Sequence, residues 1–168
     1  MTIASPKEAK ETIKKWVSSS EHSVREIKAD DATFDFEIDY PVGQQTKQHI
    51  IQPKKVSDLI VVVNSIAISP EHLTGLQKMK PNVFQTLLNK MGKEFVLKEN
   101  QYEFQFNPNG ILASVVFTYP IFFDGLSKNN LYRALDCNFK SFVFLSMMLT
   151  EQIGNVPTTT TDFSRMYG

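Results

Sequence analysis

A single cysteine, Cys137, is all the thiol that this chain carries. That excludes an internal disulfide and a zinc site built from cysteines alone, and it suits a reducing cytoplasm. An excess of one charge is missing too: Lys+Arg and Asp+Glu both number 18, for a net charge of zero. Nucleic-acid binders draw much of their affinity from neutralising phosphates and show a basic excess, so no nucleic-acid partner is expected. No window reaches the ~18 uninterrupted apolar residues that span a bilayer, and MTIASPKEAKETIKKW lacks the apolar stretch of a secretory signal. A cytoplasmic protein without membrane contact is the expectation. The seven glycines stand singly, so the phosphate loop, the dinucleotide fingerprint and the hydrolase elbow are all absent. No catalytic residue, cofactor or metal ligand set is therefore assigned, and the chain is expected not to be an enzyme.

What is present is patterning. The 168 residues, 42% of them hydrophobic, suit one core: a single α+β domain over 1–154 with a flexible Thr-rich tail over 155–168. Ser5-Pro6-Lys7-Glu8 is a helix start, with a hydroxyl cap, a proline at the first helical position and a closing glutamate. Ala9, Ile13, Trp16 and Val17 follow at helical spacing. A short strand is expected near Val24–Lys28. TFDFEIDY, Thr33 to Tyr40, alternates without a break, which specifies a strand with one buried face. His49-Ile50-Ile51 and the apolar run Leu59 to Ile68 read as further strands. Ser69-Pro70-Glu71-His72 opens a short helix. A second helix is expected from Pro81 to Met91, closed by Gly92 in the left-handed conformation. EFVL and YEFQF are strand-like, NPNG is a hairpin turn, and Ile111 to Phe123 is the return strand. Ser127 caps the longest helix, running to about Gln152.

Three carboxylates, Asp35, Glu37 and Asp39, share one face of the Thr33–Tyr40 strand. Residues two apart on a strand lie about 7 Å from each other, too far for neighbours to share a small ion easily. Their expected role is the solvated side of the sheet, with Phe34, Phe36, Ile38 and Tyr40 buried. The alternative is a small-ligand or metal site, with or without catalysis, made by this acidic face together with His49. His72, in the first turn of a helix, reads as an ordinary surface histidine, and Cys137 as a packed, inert thiol lacking an electropositive niche.

The element order, α-β-β-β-α-β-β-α with an antiparallel sheet of about five to six strands, resembles the secretion-chaperone-like α+β fold of type III secretion chaperones and YbjN-like proteins. More specifically, FDFEIDYP, HIIQP, LIVVVNSIAISPEHL, LLNKMG and YPIFFDGLSKNNLYRAL resemble an uncharacterised archaeal family of unknown function, from about Pro6 to Gln152. These motifs are caps and strand ends, so the resemblance transfers architecture and no catalytic residue. It implies a protein or peptide partner and a homodimer, as a chaperone-like or adaptor module. The surplus apolar positions name the candidate partner-binding residues: Trp16 and Val17 on the first helix, and Phe142, Val143, Phe144 and Met147 on the last.

Overall fold

The computed structural model describes residues 5–44 and 46–154; the expected tail at 155–168 lies outside the described residues. In chain order the elements are α1 (Pro6–Ser18), β1 (Val24–Ile27), β2 (Ala32–Asp39), β3 (Lys47–Pro53) and β4 (Leu59–Ala67). Then come α2 (Pro70–Gln77), α3 (Pro81–Val96), β5 (Gln101–Phe106), β6 (Leu112–Phe122) and α4 (Lys128–Ile153). The α+β expectation holds. The short strand expected near Val24–Lys28 is β1, so four strands precede the helical segment, and the two helices expected after Ser69 and from Pro81 are α2 and α3. The sheet has six strands in the order β1-β2-β3-β4-β6-β5. β1 to β4 pair antiparallel. At β4 and β6, Ile68 donates to Ala113 and Phe123 to Asp58, the opposed order of an antiparallel pair.

The helix starts follow their cap chemistry. Ser5 accepts from the Glu8 amide, Ser69 from the His72 amide and Ser127 from the Asn130 amide, at 3.2 to 3.3 Å, each answering one of the donors that a helix leaves open at its first turn.

The residues group into two compact units, and β4, β6 and α4 contribute to both. Among the described residues, one unit holds those up to Asn64 together with Thr118–Phe139; the other holds Ser65–Phe117 and those from Lys140 to Gly154. In the first, α1 (Ala9, Ile13, Val17) and α4 (Leu131, Ala134, Leu135) cover Phe34, Phe36, Ile38, Ile50, Ile60 and Val62 on one face of the strands. Two amides fix α4 there. Gln48 donates to the Leu135 carbonyl at 2.9 Å and Asn138 to the Val62 carbonyl at 3.1 Å, all of them buried.

In the second unit the core gathers Leu76 of α2, Leu87, Met91 and Phe95 of α3, Leu112, Val115 and Phe117 of β6, and Leu145, Met148 and Leu149 of α4. Here one expectation fails. Gly92 does not end α3; it lies inside the helix, which continues to Val96 and takes in most of EFVL. Packing overrides the local signal. Phe95 falls one turn after Met91, is wholly buried, and meets the rings of Tyr102, Phe104, Phe117 and Phe144 at centroid distances of 5.0 to 6.2 Å. Gly92 answers a close approach instead: a Cβ there would lie 3.1 Å from the Tyr102 hydroxyl.

Candidate functional site

Strand register builds the site on the face of the first unit turned away from Phe36. Arg25 stands opposite Glu37, Glu37 opposite His49, and His49 opposite Val63. In the next row Ile27, Asp35, Ile51 and Val61 are aligned. The expectation that all three acids of β2 are solvated fails at Asp35, which is only 5% exposed. β2 is an inner strand, so the side chains of β1 and β3 close over a short residue between them. Ile27 and Ile51 flank Asp35, and His49 reaches it along the diagonal. Tyr40, expected to be buried, is half-buried.

His49 Nδ1 lies 2.9 Å from Asp35 Oδ1 and 3.1 Å from Oδ2. A carboxylate only accepts, so Nδ1 carries the proton and donates it to Asp35. In the neutral ring Nε2 is then the acceptor, 3.9 Å from Glu37 Oε2 and beyond hydrogen-bonding range. Glu37 is engaged elsewhere. Arg25 Nη2 donates to both of its oxygens at 3.0 and 3.1 Å, and Lys47 Nζ stands 3.2 Å away. Burial pushes the Glu37 carboxyl up, but the hydrogen bonds and charges of Arg25 and Lys47 outweigh it and hold the group below its ordinary value.

The arrangement is a histidine aimed by a buried carboxylate, on a side chain 32% exposed, whose Nε2 could take a hydrogen bond from a molecule lying on this face. Among the described residues, no group of three or more His, Cys, Asp and Glu side chains is placed to hold a metal ion. The acidic strand and His49 do come together, as the alternative reading required, through Asp35 and not through the row of three acids. His22 sits apart from them, its Nδ1 3.0 Å from the Asp39 carbonyl and its ring against Tyr40 and Tyr132.

His72 corrects a further expectation. It is buried, with Nδ1 3.0 Å from Ser69 Oγ and Nε2 unpartnered. Its place in the first turn of α2 follows from the local residues; the packing above that turn does not. Cys137 is half-buried within α4.

The candidate partner-binding residues separate by burial. Val17 is wholly inside the first core and offers a partner no surface, while Trp16 is half-buried against that core. Phe142 and Phe144 pack partly against the second core. Val143 and Met147, one turn apart on α4, are 37% and 65% exposed. Lys98 Nζ stands 5.5 Å from the Phe144 ring centroid, so the end of α3, where Val96 and Leu97 are also exposed, lies beside this stretch of α4. A shallow groove lined by Asn82, Val83, Thr86, Leu87, Lys90 and Gln152 opens on the same unit. No helix among the described residues is long and apolar enough to cross a membrane.

Comparison with known proteins places this architecture. Residues 9–149 match the model of an uncharacterized conserved protein family, DUF2299. The chain belongs to the DUF2299 family. A solved structure similar to this DUF2299 chain is an uncharacterized protein from Methanothermobacter thermautotrophicus: 26% identical, covering 87% of this chain and 99% of its own, with a TM-score of 0.80. YbjN from E. coli aligns over 84% of this chain and 88% of its own at 12% identity, with a TM-score of 0.45. No curated protein matches the sequence. The sequence resemblance to an uncharacterised family thus holds, and DUF2299 membership brings no assigned activity with it.

Proposed function

We propose that the chain is a non-enzymatic protein-binding module, chaperone-like or adaptor-like, working in the cytoplasm. One observation carries the reading: Val143 and Met147, two large apolar residues one turn apart on α4, are both exposed. Large apolar side chains gathered at one place mark interaction surfaces more often than those scattered singly. Affinity isolation from native extract with the wild-type chain and with Val143→Glu/Met147→Glu tests it. Proteins retained by the first and lost with the second support this surface; an identical set on both overturns it.

A second reading rests on the Asp35–His49 pair: a small polar ligand held on the open face of β2 and β3. A thermal-shift series over metabolites and divalent ions separates the two. Stabilisation by several degrees that His49→Ala abolishes favours the ligand, because binding to the folded state alone raises the transition temperature.

A further inference from the structure

The two edges of the sheet are protected unequally. β1 has four residues, Arg25 and Glu26 are exposed on it, and Lys10 bridges to Glu26. Short length and charge are the usual defences of an edge against pairing with another strand. β5 closes the other edge with six residues, QYEFQF, that include neither lysine nor proline and carry one charge, Glu103. Its last residue, Phe106, is 48% exposed.

The backbone of β5 is placed to pair. Asn107 donates its N–H to the Ile111 carbonyl at 2.9 Å across the hairpin. Main-chain groups alternate sides along a strand, so those of Gln101, Glu103 and Gln105 point towards β6. Those of Tyr102, Phe104 and Phe106 point outwards. The same three residues are the aromatic ones, and Tyr102 and Phe104 pack on the second core.

We propose that β5 is a homotypic edge, at which two copies of this chain join antiparallel about a two-fold axis through Phe104. The strand is self-complementary in that register. Outward main-chain groups must meet outward ones, so Phe104 faces the partner's Phe104 and Tyr102 faces the partner's Phe106. All three outward residues of each copy then exchange both hydrogen bonds. The aromatic side chains form a cross-strand row on one side, a favoured pairing, and it covers the exposed Phe106. On the other side Glu103 faces the partner's Gln105, an acceptor against an amide donor. The neighbouring two-fold register, through Glu103, sets the two Glu103 carboxylates opposite each other and engages only two outward residues per copy. The axis through Gln105 also engages only two outward residues per copy. The proposal is independent of the α4 surface, and isologous pairs about a two-fold are the commonest homo-oligomers.

Multi-angle light scattering and sedimentation of the full chain over the micromolar range test it. The expected wild-type mass is twice 19.2 kDa. Gln105→Glu, an exposed change, sets like charges opposite each other at both Glu103 positions and weakens the dimer roughly tenfold. Adding Glu103→Lys turns both into opposite-charge pairs and restores it. Phe106→Pro removes an outward donor and gives a monomer, with circular dichroism confirming that each variant is folded. A wild-type mass of 19.2 kDa at hundreds of micromolar overturns the proposal. So does a dimer that Gln105→Glu and Phe106→Pro leave intact while Met147→Glu dissociates it, or a charge-reversed double variant that stays as weak as Gln105→Glu.

Discussion

His49 presents Nδ1 to both carboxylate oxygens of Asp35, at 2.9 and 3.1 Å, although the two residues lie on different strands and are not direct cross-strand partners. Asp35 stands opposite Ile51 and His49 opposite Glu37. The contact is diagonal, across neighbouring rows of an antiparallel pair, which is within reach of a side chain as long as histidine.

This geometry predicts which nitrogen of neutral His49 carries the proton. The exposed imidazole of a peptide favours Nε2–H, whereas here the carboxylate selects Nδ1–H. Nitrogen chemical shifts of the ring at a pH where His49 is neutral report it directly. Asp35→Ala is expected to return the ring to the Nε2–H form and to cost about 1–3 kcal/mol, because a filled, paired position is emptied. An Nε2–H ring in the wild type would mean that Asp35 does not orient it.

Glu37 sets an acid limit on stability. Its folded-state carboxyl lies below the ordinary value of 4.5, owing to Arg25 and Lys47 acting against burial. A depressed carboxyl contributes stability that is present above the unfolded value and is lost as pH falls through the folded one. The effect therefore belongs to the interval below 4.5. Since the Arg25 and Lys47 side chains are 61% and 38% exposed, it is expected to amount to less than about 1 kcal/mol. Lys47→Met should narrow the fall in melting temperature between neutral and acid pH and leave a smaller Glu37 shift in a carboxyl NMR titration. An unchanged shift would assign the depression to Arg25 alone.

Gly75 of α2 is held against Ile153 of α4, whose Cγ2 occupies the place a Cβ would take. In a helix interior Gly→Ala ordinarily gains about 1 kcal/mol. Here Gly75→Ala is expected to lose about 1–3 kcal/mol by overpacking. The loss should shrink in an Ile153→Ala background, and urea unfolding of the four proteins gives the coupling. Equal losses in both backgrounds would show that the two residues do not press on each other.

Where local chemistry decides, the residues alone were enough. Ser5, Ser69 and Ser127 each cap the helix that follows, NPNG turns the β5–β6 hairpin, and alternation along β2 puts Phe34, Phe36 and Ile38 inside. A cap, a turn or a two-residue period depends on neighbours within a few positions, and those are written in order along the chain. The α+β class followed from the same signals, and the family from the resemblance of whole segments such as LIVVVNSIAISPEHL and YPIFFDGLSKNNLYRAL.

Only the tertiary structure decided what faces those elements. It buried Asp35, because β1 and β3 flank β2 and a carboxylate at that position meets side chains from both. Register then brought His49 to Asp35 and Arg25 and Lys47 to Glu37, pairings between residues 10 to 14 apart that no spacing along one strand specifies. It carried α3 through Gly92, because the burial of Phe95 among four rings outweighs the helix-ending preference of one glycine. It covered Val17 and most of the apolar run of α4 while leaving Val143 and Met147 out. Composition supplied the surplus of apolar residues, and the path of the chain chose which of them meet water.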